Sequence, residues 1–166
     1  MRKLNFGCGT DIKECYDNVD GQKGKNITKS FDFNKFPYPF EDNEYDYIYM
    51  RNVLESLEDI QRVLDELWRI SKPDAIVEIR APYYANKGAY NCFMHNHYFS
   101  ERAFIYYVRG HKGMSKGDQY EIIKLDLIPT PIGRFVPKYI REKINYFLVE
   151  SIEVGLMVIK KKTKKK

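Results

Sequence analysis

The sequence lacks long apolar runs, the residue pattern of a leader segment and a cysteine framework. Its apolar runs are far shorter than the roughly 18 residues that a membrane-spanning helix requires. The first residues do not have the charged-then-apolar layout of a secretion signal, so a cytoplasmic location is the expectation. Three cysteines, Cys8, Cys15 and Cys92, are odd in number and irregularly spaced, which fits a reducing compartment and not a disulfide framework.

The chain has little net charge outside its C-terminal end. Six of the last seven residues, 160–166, are lysines, and without them the net charge of +5 becomes −1. We therefore predict a single globular domain over residues 1–159 and a basic tail over residues 160–166. Such a tail is either a solvated chain end or a contact for nucleic acid or another polyanion.

Short apolar runs between turn residues predict a sheet with few helices. The predicted strands are residues 3–6, 16–19, 29–33, 45–50, 75–81, 120–128 and 147–159. Apolar residues at three- and four-residue steps from Leu57 to Ile70 predict one helix, capped by Ser56, and a second helix begins near Ser100. This order is typical of an α/β fold with a mostly parallel sheet, whose last two strands form an antiparallel ribbon at one edge.

Two connections between predicted strands are too short for a complete fold of this class. Residues 7–15 and 20–28 span nine residues each, whereas a parallel crossover needs a dozen or more. We therefore predict that the first crossover helices are reduced or missing on one face of the sheet. Alternating apolar and polar residues in the strands agree with one packed and one partly wet face. Two alternatives account for the partly wet face: loops and polar side chains of the chain itself cover it, or it binds a second copy or another protein.

Chemistry-bearing residues begin where the first predicted strand runs into a glycine turn, Phe6-Gly7-Cys8-Gly9. Glycine lets the backbone pass close to a ligand and turn its N–H groups toward it. The third glycine of the dinucleotide fingerprint is absent, which argues against a pyrophosphate seated on a helix N-terminus. By itself this turn is a weak signal.

Carboxylates follow at the ends of the next two predicted strands. Asp20 can accept hydrogen bonds from two adjacent ribose hydroxyls, each worth about 1.5–3 kcal/mol because the acceptor is charged. Asp32 and Phe33 can hold the amino group and ring face of adenine. Each aspartate alone is a common turn residue, but the turn and both acids in order on successive strand ends indicate a nucleoside site.

These motifs make the chain similar to the class I S-adenosylmethionine-dependent methyltransferases, and specifically to short relatives of the methyltransferase type 11 domain. The resemblance runs from about residue 3 to residue 84. It rests on LNFGCG at 4–9, YDNVD at 16–20, FDFNKFPYPFEDNEYDYIYMRNVLE at 31–55, LDELWRISKP at 64–73 and IVEIRAP at 76–82. It implies a Rossmann-like sheet of seven strands with an antiparallel last strand, and S-adenosyl-L-methionine as the cofactor.

The resemblance also implies which residues bind the cofactor. The glycines would approach the methionine part, with Asn5 where the family often has an acid, and Arg51 and Asn52 would flank the sulfonium end. The whole predicted set is Asn5, Phe6, Gly7, Cys8, Gly9, Asp20, Asp32, Phe33, Arg51 and Asn52. One departure matters: Ser56 stands where relatives commonly have a histidine, which puts that functional histidine in doubt.

The methyl acceptor is expected beyond the fifth predicted strand, in residues 82–99, where tyrosine, asparagine and histidine are concentrated. Methyl transfer is an in-line displacement that needs a general base only when the acceptor must lose a proton. His95 and His97 are the candidates for that base, or each hydrogen-bonds within an ordered loop. The spacing of both with Cys92 matches no standard metal site, so no metal is predicted.

Three further residues of this segment are predicted substrate contacts: Tyr83, Tyr84 and Asn91. The tyrosines either stack on a planar acceptor or close the core. The predicted function is methyl transfer to a small-molecule, sugar or polymer acceptor. The alternatives are a non-catalytic or degenerate cofactor-binding subunit that works with a partner, and a nucleic-acid methyltransferase tethered by the lysine tail. The absence of an Asn/Asp-Pro-Pro-Tyr/Phe run argues against the last.

Overall fold

A seven-stranded mixed sheet forms the body of the chain. The computed structural model describes residues 1–113, 115, 117–144 and 148–160. The strands are β1 (Lys3–Phe6), β2 (Asp17–Asp20), β3 (Lys29–Ser30), β4 (Tyr45–Arg51), β5 (Ser71–Pro82), β6 (Tyr120–Pro129) and β7 (Val149–Val158). They lie in the order β3-β2-β1-β4-β5-β7-β6, and β7 runs antiparallel to both of its neighbours. The predicted α/β class and the antiparallel ribbon at one edge are confirmed.

The third strand is shorter than predicted and ends before Asp32. Residues 31–33 leave the sheet because the rings of Phe31 and Phe33 turn into an aromatic cluster. The ring centroids of Phe31 and Tyr38 lie 5.4 Å apart, and those of Phe33 and Phe6 lie 4.1 Å apart. Burying these rings outweighs the one or two ladder hydrogen bonds that a longer edge strand would add.

Three α-helices are present in the described ranges: α1 (Ile60–Ile70), α2 (Glu101–Val108) and α3 (Lys138–Lys143). Helix α1 begins later than predicted, because Leu54–Ser56 forms a separate 3-10 turn. Its cap is Asp59, whose carboxylate accepts from the Arg62 N–H at 3.0 Å, so the prediction of a Ser56 cap was wrong. No helix in the described part of the chain is long and apolar enough to cross a membrane.

The core lies on one face of the sheet. Alternate strand residues, among them Phe6, Ile48 and Val77, are fully buried with the apolar side chains of α1 and α2. The residues between them point to the opposite face, which we call the open face, and neither α1 nor α2 covers it. Two of its tyrosines are covered by the chain's own polar groups: Tyr47 donates to Glu78 at 2.8 Å, and the Lys13 ammonium lies 4.5 Å from the Tyr49 ring centroid.

The connection between β1 and β2 contains no helix, as predicted, and two asparagines hold it. Asn18 Oδ1 accepts from Asn5 Nδ2 at 2.8 Å and from the Lys13 N–H at 2.9 Å. Asn18 Nδ2 donates to the carbonyls of Lys13 at 2.9 Å and Tyr16 at 3.2 Å. These side chains satisfy backbone groups that a helix would pair internally.

Lys160, the first residue of the predicted tail, contacts the sheet domain through its side chain. Lys160 donates from Nζ to the carbonyls of Ser71 at 2.6 Å and Arg69 at 3.0 Å, and to Asn43 Oδ1 at 2.7 Å. It also lies 4.5 Å from the Trp68 ring centroid. Lys160 therefore belongs to the folded body. Residues 161–166 lie outside the described residues, so the basic tail stays a prediction.

Candidate functional site

The glycine turn after β1 has two glycines in the left-handed region. Gly7 has φ +72°, and a Cβ there would lie 2.2 Å from Val53 Cγ2. Gly9 has φ +50°, and a Cβ there would meet no atom within 4 Å. Gly7 is thus required by packing against Val53, whereas Gly9 faces open space at the carboxyl end of the strand, where ligands of α/β sheets bind.

Asp20 closes this turn from the end of β2. Its Oδ2 accepts from the Gly9 N–H at 2.8 Å, and its Oδ1 accepts from the Gln22 N–H at 3.1 Å. An ionised carboxylate offers about four lone-pair sites, so acceptor capacity remains on both oxygens. The arrangement fits a carboxylate that shapes the turn and also receives the hydroxyls of a ribose.

Asp32 and Phe33 are neighbours in sequence but differ in burial. Asp32 is exposed, with its Oδ1 accepting from the Asn34 N–H at 3.0 Å. The Phe33 ring is 8% exposed and packs on Phe6, which is fully buried. Asp32 is therefore available to a ligand, while both phenyl rings belong mainly to the core.

Two other predicted cofactor residues lie inside the turn and not on its surface. The Asn5 amide, 2% exposed, is engaged by Asn18 and by the Asp11 carbonyl at 2.7 Å. Cys8 is buried as well, and burial, with a smaller contribution from Asp20, raises the pKa of its thiol. Both side chains shape the turn, and a ligand can meet these residues only through their backbone.

A small polar cavity lies at the end of β4, beside the glycine turn. Arg51 and Asn52 line it, and the next residue, Val53, packs against Gly7. The cavity has a volume of about 210 Å³. Its walls come from the ends of β4 and β5, the start of β7 and the segment after β5: Arg51, Asn52, Glu55, Arg80, Pro82, Asn86, Gly88, His95, Glu150 and Ser151. We call it the polar cavity.

Glu55 is a functional candidate that the sequence reasoning missed. It is 1% exposed, and neither carboxylate oxygen has a hydrogen-bond partner among the described residues. Burial raises the pKa of Glu55, while the N–H of its own backbone and, to a smaller extent, His95 lower it. In the sequence, the only indication of this site was that an acidic residue stands between two leucines, Leu54 and Leu57, both of which are buried.

His95 faces Glu55 across the polar cavity. Its Nε2 lies 3.9 Å from Glu55 Oε1, and its Nδ1 lies 2.8 Å from the Ala89 carbonyl oxygen. The loop is held against this glutamate because the Asn96 and His97 N–H groups donate to the Glu55 carbonyl, at 2.8 and 3.1 Å. The fold thereby brings together two residues that are far apart in sequence.

The other predicted acceptor residues lie elsewhere. His97 lines a separate, largely apolar cavity, with its Nε2 3.3 Å from the Glu58 carbonyl oxygen. Tyr83 is buried and donates to Glu101 Oε2 at 3.1 Å, and together with the exposed Tyr84 it lines a third cavity. Asn91 is exposed at the end of the 3-10 turn Lys87–Tyr90. Only His95 of the predicted acceptor residues reaches the polar cavity.

The described residues contain no group of three or more His, Cys, Asp or Glu side chains arranged to hold a metal ion.

Known proteins resemble this chain in sequence family and in fold. A family model described as a methyltransferase domain matches residues 1–112. An S-adenosylmethionine-dependent methyltransferase from Archaeoglobus fulgidus superposes with a TM-score of 0.68 at 14% identity, over 94% of this chain and 85% of that one. Another, from Mesorhizobium loti, superposes with a TM-score of 0.63 at 11% identity, over 94% of this chain and 90% of that one.

A third solved structure comes from a complex of Haloferax volcanii that contains the Trm112 methyltransferase activator. It gives a TM-score of 0.64 at 14% identity, over 98% of this chain and 83% of that one. At such identities the neighbours show a shared fold. No curated protein matches the sequence.

Proposed function

We infer the function from the family: the chain belongs to the methyltransferase domain family, and we propose that it is an S-adenosylmethionine-dependent methyltransferase. One observation carries the proposal. The glycine turn, closed by Asp20 and open at Gly9, lies at the carboxyl ends of β1 and β2 and adjoins the polar cavity through Val53. In this proposal the turn binds the methyl donor and the neighbouring polar cavity binds the acceptor.

In this proposal, different residues at and beside the glycine turn bind different parts of the cofactor. Gly7 and Gly9 present backbone to the methionine part, Asp20 accepts from the ribose hydroxyls, and Asp32 receives the adenine amino group. Arg51 is exposed and its guanidinium makes no hydrogen bond or ion pair to any described residue, so it is free to pair with the methionine carboxylate. The bound cofactor supplies an electrophilic methyl group on a sulfonium.

The reaction proposed is in-line transfer of that methyl group to a small-molecule, sugar or polymer acceptor. The chain's contribution is to align the two reactants and exclude water between the turn and the polar cavity.

Calorimetric titration of the full chain with S-adenosylmethionine and S-adenosylhomocysteine tests the proposal. We expect binding of both, with Asp20→Asn raising Kd at least tenfold, since it weakens two charge-assisted hydrogen bonds. Glu14→Gln, which changes an exposed acid in the connection after β1, is the matched control and should leave Kd unchanged. Absence of binding at millimolar cofactor would overturn the proposal, and an unaltered Kd in Asp20→Asn would overturn the site assignment.

A cofactor-binding subunit that depends on a protein partner is the second candidate function. The open face favours it, because α1 supplies the only helix in the described crossovers between parallel strands. One structural neighbour was also solved in a complex that contains a methyltransferase activator. Sedimentation of the purified chain, together with turnover assays on it alone, separates the two: a monomer that turns over unaided contradicts the second candidate.

A further inference from the structure

Glu55 combines two properties that a merely structural carboxyl does not have. It is 1% exposed, and it lines the polar cavity with both oxygens unpaired within the described part of the chain. Buried carboxylates are normally paired, because leaving one unpaired costs the free energy of its desolvation. An unpaired one that lines a cavity is placed to receive hydrogen-bond donors from a bound molecule.

The hydrogen bonds of His95 fix which of its nitrogens can accept a proton. The Ala89 carbonyl can only accept, so Nδ1, 2.8 Å away, carries the N–H of the neutral ring. Nε2 then presents its lone pair to the cavity, 3.9 Å from Glu55 Oε1. A proton taken up at Nε2 would lie beside a carboxylate, which stabilises the resulting imidazolium.

The lining of the polar cavity indicates the kind of acceptor. Apart from Pro82 and Gly88, every lining residue has a polar side chain, and no phenyl, phenol or indole ring is among them. At about 210 Å³ the cavity is smaller than the sites that hold drug-sized ligands. Such walls suit a compact group that donates and accepts several hydrogen bonds, as the hydroxyls of a polyol do.

We propose that Glu55 and His95 form the proton-accepting pair of the acceptor site, and that the acceptor presents a hydroxyl of a polyol-type group. The inference rests on the proposed function. The acceptor O–H bond breaks and its proton passes to His95 Nε2. The oxygen takes the methyl group, whose bond to sulfur breaks with the electron pair left on sulfur. His95 is the catalytic residue of this step, and Glu55 acts as a positioning residue for the proton and for the acceptor.

Nitrogen NMR of the histidine rings tests the proton position without any acceptor. Long-range ¹H–¹⁵N spectra of the full chain, with His95→Gln identifying the His95 signals, report which nitrogen of the neutral ring is protonated. We expect the Nδ1–H form. The Nε2–H form would overturn the proposal, because no lone pair would then face the cavity.

Binding of simple probes tests the class of acceptor. The chain saturated with S-adenosylhomocysteine is titrated with myo-inositol and D-glucose, and with n-butylamine and phenol as contrasts. We expect millimolar binding of a polyol that weakens at least tenfold in Glu55→Gln and is unchanged in Glu58→Gln, an exposed neighbour. Binding of the amine or phenol alone, or of none of the probes, would overturn the proposal.

Turnover separates this inference from the proposed function. With a bound polyol as acceptor, Glu55→Gln and His95→Gln should each slow the formation of S-adenosylhomocysteine about a hundredfold while cofactor affinity stays unchanged. His111→Gln, which changes an exposed histidine stacked on Tyr106, should leave the rate unaltered. Equal rates in all variants overturn the proton-accepting pair, whereas a chain that fails to bind cofactor overturns the proposed function itself.

Discussion

At the scale of single residues, Glu55 destabilises the fold, because its carboxylate is buried beside the polar cavity. Its carboxylate is buried without a hydrogen-bond donor from the described residues, and burial raises its pKa. Since the unfolded chain solvates this carboxylate fully, ionisation favours the unfolded state. Functional sites commonly retain such unfavourable groups because the chemistry needs them.

We therefore expect Glu55→Gln to stabilise the chain in a pH-dependent way. The folded pKa lies above the unfolded value, so wild type loses stability as pH rises through the folded pKa. The variant and wild type should unfold alike near pH 4. At pH 8 the variant should be more stable by about 1 kcal/mol, or roughly 2–4 °C in Tm.

Thermal unfolding at both pH values checks this, with Glu58→Gln as the exposed control. A difference of the same size at pH 4 and pH 8 would contradict the assignment of the effect to ionisation.

The two turn glycines should respond differently to alanine. Gly7→Ala places a Cβ 2.2 Å from Val53 Cγ2 in a left-handed conformation, so we expect a loss of about 2–4 kcal/mol. Gly9→Ala meets no atom and should lose only about 1–2 kcal/mol, but its Cβ enters the cleft and should weaken cofactor binding.

Urea unfolding and calorimetry measure the two effects separately. Adding Val53→Ala to Gly7→Ala should restore part of the lost stability, because it removes the clashing methyl groups. If Val53→Ala restores nothing, the close approach of Val53 to Gly7 does not explain the requirement for glycine.

At the scale of elements, side chains replace a missing crossover helix. Asn18 makes four hydrogen bonds that join β1, β2 and the loop between them. The loop can then be short, since its backbone groups are paired without helical turns. This device also leaves the open face without the helix that would otherwise pack on it.

Replacing Asn18 by alanine should therefore destabilise the chain by about 1–3 kcal/mol, because loop groups would be left unpaired in a buried site. The free energy of unfolding, measured with urea, checks this against Gln61→Ala, a change at an exposed position of α1. Equal losses in the two variants would show that the loop does not depend on the asparagine.

At the scale of the whole molecule, Lys160 ties the last described residues to the middle of the sequence, at Asn43 and at the junction of α1 and β5. Its ammonium donates to three oxygens, two of them carbonyls at the junction of α1 and β5. Burial lowers the pKa of Lys160 to about 8, which leaves it largely charged at neutral pH. A charged, fully hydrogen-bonded group closes this corner of the fold.

Lys160→Met should cost about 1–2 kcal/mol at pH 7, because leaving three acceptors without their donor outweighs the relief of burying a charged ammonium, the effect that lowers the Lys160 pKa. Lys87→Met, at an exposed position, is the matched control and should cost nothing measurable. Unfolding curves in urea that coincide for the two variants would show that Lys160 is an ordinary surface lysine.

The sequence by itself determined the fold class, the succession of strands along the chain and the position of the glycine turn and Asp20. These depend on local signals, namely apolar periodicity, connection length and turn residues, which act over a few positions. It also determined that helices are missing after β1 and β2, because nine residues cannot form a helical crossover.

Only the tertiary structure decided which polar groups share a cavity. The pairing of Glu55 with His95, the separation of His95 from His97, and the burial of Phe33 depend on contacts between segments far apart in sequence. The end of β3 and the start of α1 were also decided by packing, where burial of aromatic and apolar side chains outweighs local preference. Burial and distance are properties of the folded chain, and so Glu55, the acid of the proposed acceptor site, became visible only there.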